Sequence, residues 1–550
     1  MTDIYQERRE QMFPTLSDAQ LKRLAAHAER RSVRAGEILI DPGEPMRGIH
    51  VILSGSLEIV RPGLAGEELI VVQKPGEFTG EVNVLSGRRA LVRGRMKEAG
   101  EVLYLDDERL RRVVQGDTEL SDLFMRAFIL RRVGLLADGH GDATLIGSSH
   151  SADTLRLREF LTRNGHPHAY LDVERDKSVQ ELLDRFHVGV GDVPVLICRG
   201  DLVLKNPTNA EVAECFGFNR ALDPAKLRDV VVVGAGPAGL AAAVYAASEG
   251  LDVLVLETNA PGGQAGTSSK IENYLGFPTG ISGEALAGRA ITQAQKFGAE
   301  ISVARTAERL VCDSKKTYEI GLSDGSVVHA RTVIVATGVR YRKLELPNLQ
   351  RFEGVGIHYG ATHIEAQLCR DEEVIVVGGG NSAGQAAVFL SGHARHVHML
   401  VRSGGLTETM SRYLIRRIEE IPNITLRTRT EVVALEGEDR LQGVRWRGPD
   451  GTIEVRPISH VFLMTGGAPH TDWLDGCVAR DEKGFVKTGS DLLRDDLVAW
   501  PMPRAPHLLE TNRPGVFAVG DVRSGSVKRV ASAVGEGSIC VQLVHRTLAE

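Results

Sequence analysis

Three stretches of the chain differ in how apolar and polar side chains alternate. Residues 1–135 open with LSDAQLKRLAAHAERR, which reads as a helix. Short segments with a two-residue period follow, such as GIHVILSGSLEIV, where Ile49, Val51 and Leu53 face one way. Helical periodicity returns in DDERLRRVVQGDTELSDLFMRAFILRR. Strands bracketed by helices predict a small β-barrel with helical ends. From about 141 to 220 the order is strand (ATLIGSS), helix (TLRLREFLTRNG), strand (HAYLDV), helix (SVQELLDRFHV), strand pair (VPVLICRGDLVL) and helix (NAEVAECFGF). DPAKLRD is the expected linker to the third stretch. From about 226 onward, valine-rich runs alternate with glycine-marked helices, the pattern of parallel sheets covered on both faces.

One uncharged run, Val230 to Ser248, is long enough to imitate a membrane span. Three glycines and a proline sit at its centre, which predicts a buried strand, a tight turn and a small-residue helix instead. No membrane segment is therefore expected, and MTDIYQERREQMF lacks the apolar core of a signal peptide. With 550 residues, 42% apolar and 25% charged, the chain has material for several ordinary globular domains. Its net charge of −6 gives no bulk attraction to nucleic acid or an anionic membrane. The 60 glycines exceed the average share without periodicity, which fits loops where backbone approaches a nucleotide. No two of the six cysteines stand in C-x-x-C spacing, so no redox pair, zinc site or disulfide framework is expected. Free thiols throughout fit a cytoplasmic location.

DVVVVGAGPAGLAAAVYAASEGLDVLVLE carries the strongest chemical signal. Gly234, Gly236 and Gly239 form G-x-G-x-x-G between a strand and a helix. Gly234 permits the tight turn, Gly236 admits a pyrophosphate to the helix N-terminus, and Gly239 lets helix and strand pack closely. Glu257, 18 residues past Gly239, is placed to accept hydrogen bonds from ribose hydroxyls. EEVIVVGGGNSAGQAAVFLSGHARHVHMLVRS repeats the grammar with Gly378, Gly380 and Ala383. At the end of its second strand stands Arg402, with Arg412 ten residues on. A guanidinium grips a 2′-phosphate that a carboxylate would repel, so this half is expected to prefer NADPH. Two dinucleotide modules imply hydride traffic between two cofactors, and flavin is the usual acceptor from a nicotinamide. Ala336, Thr337 and Gly338 follow a valine strand, and Gly520–Asp521 lies at a strand tip where a carboxylate reaches a ribityl chain.

With these motifs in view, the third stretch resembles the low-molecular-weight thioredoxin reductase family, through GAGPAGLAAAVYA, GGQAGTSSKIENYLGFPTGISG, ATG, GGGNSA, MTGGAP and PGVFAVGD. The resemblance implies FAD on the first fingerprint, including Pro237 and Ala238, with Gly263, Gln264, Asn273, Gly520, Asp521, Arg529, Val530 and Ala531. It implies NADPH on the second fingerprint, including Asn381 and Ser382, and on the arginines after it. It also implies a homodimer, an FAD domain at 226–345 and 470–550, and an NADPH domain at 346–469 that rotates against it. The family carries C-A-T-C before the second fingerprint; here the stretch reads Gly360-Ala361-Thr362-His363. Cys369 alone cannot form the internal disulfide that accepts electrons from reduced flavin. His363, in the flavin-facing position, is a candidate proton donor to flavin or a polar filler.

The second stretch, 139–222, resembles a thioredoxin or glutaredoxin fold, with Ser151-Ala152-Asp153-Thr154 where the family has C-P-Y-C and Val193-Pro194 where it has a cis-proline. The first, 1–138, resembles the cyclic-nucleotide-binding domain of catabolite-activator-type regulators through PGEFTGEVNVLSGRRALV. That resemblance implies Gly80 and Glu81 on the ribose, and Arg89, or Arg88 in an alternative register, with the amide of Ala90 on the cyclic phosphate. The expected fold is thus multidomain: a cyclic-nucleotide-binding β-barrel with helices, a thioredoxin-like α/β unit without active cysteines, and an α/β flavoprotein of two dinucleotide-binding domains. The expected function is an NADPH-dependent FAD oxidoreductase without the redox dithiol, passing electrons to an unknown small-molecule or protein acceptor and regulated by a cyclic nucleotide. The alternative is a non-catalytic flavin and cyclic-nucleotide sensor or docking protein.

Overall fold

Periodicity in the N-terminal stretch becomes two antiparallel sheets. The computed structural model describes residues 8–63, 66–137, 142–176, 179, 183, 186, 188–189, 192–199, 202–312 and 317–550. One sheet orders Glu29–Val33, Gly100–Asp106 and Gly48–Ile52; the other orders Ile38–Ile40, Arg93–Glu98, Ser56–Gly63 and Gly66–Gln73. Ser17 begins the helix Asp18–Ala25 with a reciprocal capping box to Gln20, satisfying two donors that a helix start leaves open. The helix Thr118–Ala137 lays Phe124 and Phe128 against Phe78, all fully buried.

The middle stretch forms a four-stranded sheet in the order Leu202–Lys205, Val195–Cys198, Ala143–Gly147, His168–Asp172. The last two strands are parallel and the other pairings antiparallel. The peptide Val193–Pro194 is cis. Most of the expected helix SVQELLDRFHV lies outside the described residues. Leu157, Phe160, Phe216 and Phe218 join one apolar cluster with Val230, Val232 and Leu240, so this unit shares its core with the sheet that follows.

That sheet has seven strands. Glu300–Val303, Val253–Glu257, Leu227–Val233, Val327–Val335, Tyr318–Leu322 and Ala307–Val311 lie in order, and Val516–Ala518 pairs with Val327–Val335. Its valine run alternates between two cores: Val230 and Val232 face one cluster, Val231 and Val233 the other. Burial on both faces is why the run shows no polar alternation. A second sheet, parallel throughout, orders Ile357–His358, His460–Leu463, Glu373–Val377, His396–Val401 and Ile424–Thr428. The ribbon Val339–Tyr341 with Gly467–Pro469 joins the two halves.

Thiol chemistry departs from the sequence expectation. Cys312 and Cys477 are joined as a disulfide, with Cα atoms 5.8 Å apart and 165 residues between them in sequence. The fold sets the end of Ala307–Val311 beside the turn Asp472–Leu474, a neighbourhood that spacing in sequence does not reveal. Cys198, Cys215, Cys369 and Cys540 are free and buried. Among the described residues no helix is long and apolar enough to cross a membrane, and no cluster could hold a metal ion.

Candidate functional site

The first fingerprint is shaped by close backbone approach. Gly234 has φ +105°, and a Cβ there would lie 2.4 Å from the Ala336 carbonyl oxygen. A Cβ at Gly239 would lie 1.9 Å from the carbonyl oxygen of Gly234, so strand and helix can meet only over glycine. Gly236 starts the helix Pro237–Ser248 with no side-chain cap. Gly263 faces Gly236 across the turn: a Cβ on it would sit 3.0 Å from the Gly236 Cα. Glu257 takes the Ala235 amide at 2.8 Å and the Asn259 amide at 3.0 Å, which leaves lone pairs on both oxygens for ribose donors. Burial pushes its carboxyl above the usual range.

C-terminal residues close this cradle. Gly520 packs on Ala238, Gly537 lies against the Ala238 carbonyl, and Glu536 accepts from the Gly520 amide at 2.6 Å. Asp521 is half-buried and its carboxyl is raised by burial, with the Lys528 cation opposing. Arg529 begins the helix Val530–Leu548 without a side-chain cap, so the amides of Val530 and Ala531 open beside Asp521. Thr337 is fixed by donating to the His470 carbonyl at 2.8 Å, Gln264 donates to the Val339 carbonyl at 2.8 Å, and Asn273 is exposed.

In the second cradle Gly378 has φ +146°, and Gly380 begins the helix Asn381–Ser391 uncapped. Ala383 is fully buried where the first cradle has Gly239. The Asn381 side chain accepts from the Ser411 amide at 2.8 Å, which brings the uncapped start of the helix Arg412–Glu420 beside it. Arg402 and Arg412 are exposed, and among the described residues neither has an ion pair. Arg429, missed in the sequence, lies against Gly404 in the same loop cluster. Its distance in sequence from Arg402 gave no signal.

Caps separate these helices from the rest. Ser17, Asp106, Asp117, Ser151 and Ser282 accept from the first turns of their helices. Among described helices of eight or more residues, the starts at Gly236, Gly380, Ser411 and Arg529 have no such cap. Orphan amides and the positive end of the helix dipole are what a phosphate or electron-rich ring edge requires. The residues present therefore fit two dinucleotide cofactors.

Tyr341 lies in the ribbon between the two halves, its hydroxyl within hydrogen-bonding reach of Ser382 and close enough to Asp521 to feel its charge. Arg417 pairs with Glu272 at 2.7 Å and ties the two halves in this orientation. His363 starts the helix His363–Leu368 and its ring packs edge-on against Phe389, 5.2 Å away, with His393 beyond. Those contacts belong to the second nucleotide domain and give His363 no partner in the first cradle. Cys369 is fully buried with its thiol pushed up to about 12, so it is no thiolate nucleophile.

The N-terminal barrel encloses an apolar pocket reached by Gly80 and Glu81. Glu81 is buried; its carboxylate oxygens make no hydrogen bond of good geometry, and the Arg132 guanidinium stands 3.6 Å away as its counter-charge. Arg89 does not line this pocket: its guanidinium donates to the Cys215 carbonyl at 3.1 Å and packs on Gly217. Ala90 instead turns into the barrel core. Arg89 makes an isolated bridge to Pro45, and successive side chains there point to opposite sides, Arg89 outward and Ala90 inward. Arg88 likewise reaches the Asn164 carbonyl at 3.0 Å. Asn164 in turn donates to the Asn259 carbonyl at 3.4 Å, and Arg163 to the Gly263 carbonyl at 3.0 Å, beside the first cradle.

Fold and site together define a two-nucleotide flavoprotein oxidoreductase of the thioredoxin reductase type, preceded by a cyclic-nucleotide-binding domain. Residues 228–537 match the model of the pyridine nucleotide-disulphide oxidoreductases, and residues 30–117 match the cyclic nucleotide-binding domain. The chain belongs to the pyridine nucleotide-disulphide oxidoreductase family. It is 30% identical over 326 residues to a thioredoxin reductase of Listeria monocytogenes serovar 1/2a, covering 59% of this chain and 95% of that protein. It is 32% identical over 312 residues to an NADH dehydrogenase of Ferdinandcohnia aciditolerans, covering 56% of this chain and 55% of that protein's length. Lactococcus lactis thioredoxin reductase in its FR conformation aligns with TM-score 0.52 at 27% identity, covering 58% of this chain and 99% of that one. FAD and NADPH are the cofactors of this family.

Proposed function

We propose that this chain oxidises NADPH through bound FAD and hands the electrons to an acceptor other than an internal disulfide. The uncapped helix starts around the two fingerprints carry the reading. Bound in the first cradle, FAD supplies a two-electron acceptor for the hydride of NADPH. Gly234, Gly236, Pro237, Ala238 and Gly239 receive its pyrophosphate, and Glu257 its ribose. Gly263, Gln264, Asn273, the turn Ala336–Gly338, Gly520 and Asp521 hold the remainder with Arg529, Val530 and Ala531. Gly378, Gly380, Asn381, Ser382 and Ala383 seat NADPH, and Arg402 with Arg412 fork the 2′-phosphate. Tyr341, in the ribbon between the two cradles, would screen the hydride path from water.

Gly360-Ala361-Thr362-His363 offers no sulfur, and Ser151-Ala152-Asp153-Thr154 offers none in the middle unit, which we read as a thioredoxin-like docking element. Electrons therefore leave to a quinone, a one-electron protein, oxygen or a partner's disulfide. The reading takes the chain as a cytoplasmic homodimer. Regulation is assigned to the N-terminal domain. A cyclic nucleotide on Gly80 and Glu81 would draw Arg89 from Cys215, a bond that lies on the same side as the Arg88–Asn164–Asn259 series. Steady-state NADPH oxidation with a quinone and with a small aromatic disulfide, each with and without cyclic AMP or cyclic GMP, tests the proposal. Quinone turnover is expected to exceed disulfide turnover at least ten-fold. Equal or greater disulfide turnover contradicts the loss of the relay, and no turnover with either acceptor favours the sensor alternative.

A further inference from the structure

A second cavity, of about 230 Å³, lies outside both nucleotide cradles and outside the barrel pocket. It opens at the seam between the N-terminal domain and the first nucleotide domain. Gln115 donates to the Lys296 carbonyl across that seam at 3.3 Å, and Arg111 lies on Gly298. Four cations line the cavity: Arg111 from the helix Asp107–Gly116, Arg220 and Lys226 from the linker region, and Arg228 at the start of the strand leading to Gly234.

Carboxylates do not balance them. Asp252 is shared, taking Lys226 at 2.9 Å and Arg228 at 3.0 Å. Glu300 takes Arg228 at 2.7 Å, and Asp107 takes Arg220 at 3.3 Å. Arg220 also donates to the Ser86 carbonyl at 3.1 Å. Arg111 has no ion pair among the described residues, and its Nε is buried without a hydrogen-bond partner. A guanidinium whose Nε is cut off from water needs an acceptor there. Tetrahedral phosphate oxygens provide one, and arginine and lysine bind them as fork and as point charge.

We propose that this seam cavity binds a phosphate group, free or as a phosphomonoester, clamped between Arg111 and the Arg220–Lys226–Arg228 side. The anion bridges the N-terminal domain and the first nucleotide domain, so it stabilises their docking. This site is independent of the flavin reading, because binding is measured without turnover.

Isothermal titration of the full-length flavin-loaded protein, with NADP⁺ present to fill the second cradle, tests it. Inorganic phosphate and AMP are the two probes, and KCl of equal ionic strength is the control. One phosphate per chain is expected to bind, and Arg111→Gln and Lys226→Gln each weaken it ten-fold or more. Arg112→Gln, on the same helix but exposed and paired with Glu108, leaves binding unchanged. AMP binding ten-fold tighter than phosphate identifies a phosphomonoester, and equal binding identifies the free anion. Binding no greater than in KCl, or an Arg111→Gln protein that binds like wild type, overturns the proposal. So does an Arg112→Gln protein that loses as much as Arg111→Gln.

Discussion

The two nucleotide cradles use one turn geometry and opposite charges. In the first, Glu257 is half-buried and held by two backbone amides. In the second, Arg402 and Arg412 stand exposed. A ribose with free hydroxyls asks for a buried acceptor, whereas a 2′-phosphate asks for cations at the surface. Glycine use differs too: Gly239 in the first cradle has its counterpart in Ala383 in the second. Strand and helix therefore meet more closely in the first cradle than in the second, where a methyl is accommodated.

The sharpest way to break this comparison is to exchange that methyl. Gly239→Ala places a Cβ 1.9 Å from the Gly234 carbonyl, and backbone must shift. Flavin content, read as absorbance per chain, is expected to fall below about a tenth of wild type, in line with overpacking costs of about 1–3 kcal/mol or more. Ala383→Gly is expected to leave it unchanged. Next in size is the charge at the second cradle. Arg402→Gln with Arg412→Gln removes charge-assisted hydrogen bonds of about 1.5–3 kcal/mol each. KM for NADPH is expected to rise at least ten-fold with kcat little changed and NADH kinetics unaffected.

A smaller effect distinguishes the cradles by pH. Burial raises the Glu257 carboxyl above its unfolded value. Its stabilising contribution in flavin-free protein is thus fully present below the ordinary carboxylate range and is lost as pH rises through the raised value. In Glu257→Gln the fall in melting temperature from acid to neutral pH is expected to shrink, while Arg402→Gln keeps the wild-type slope. The smallest change concerns the tie between the halves. Arg417→Gln removes a partly exposed ion pair worth about 1 kcal/mol or less. Flavin reduction by NADPH, followed in a stopped-flow instrument, is expected to change less than about five-fold.

What could be read from the sequence was local. Glycine spacing, valine runs and the residue ending each second strand announced both cradles, because strand, turn and helix there lie within thirty or so residues. What escaped was either distant in the chain or a matter of side-chain direction. Cys312 and Cys477 are brought together where the turn Asp472–Leu474 packs against the end of the strand Ala307–Val311, far away in sequence. Tyr341 lies in a three-residue ribbon with no motif, and only the meeting of two domains gives it Asp521 and Ser382 as neighbours. Arg89 stands at the expected place in sequence, but its single bridge to Pro45 leaves the side chain on Cys215 rather than near Glu81. Spacing fixes proximity along the chain and leaves the facing side open.

Anaerobic titration of the purified protein with NADPH, followed at the flavin absorbance, tests the central claim most directly. The expected result is a yellow protein bleached by about one equivalent of NADPH per flavin, without any added thiol. Flavin that stays oxidised under excess NADPH would contradict it.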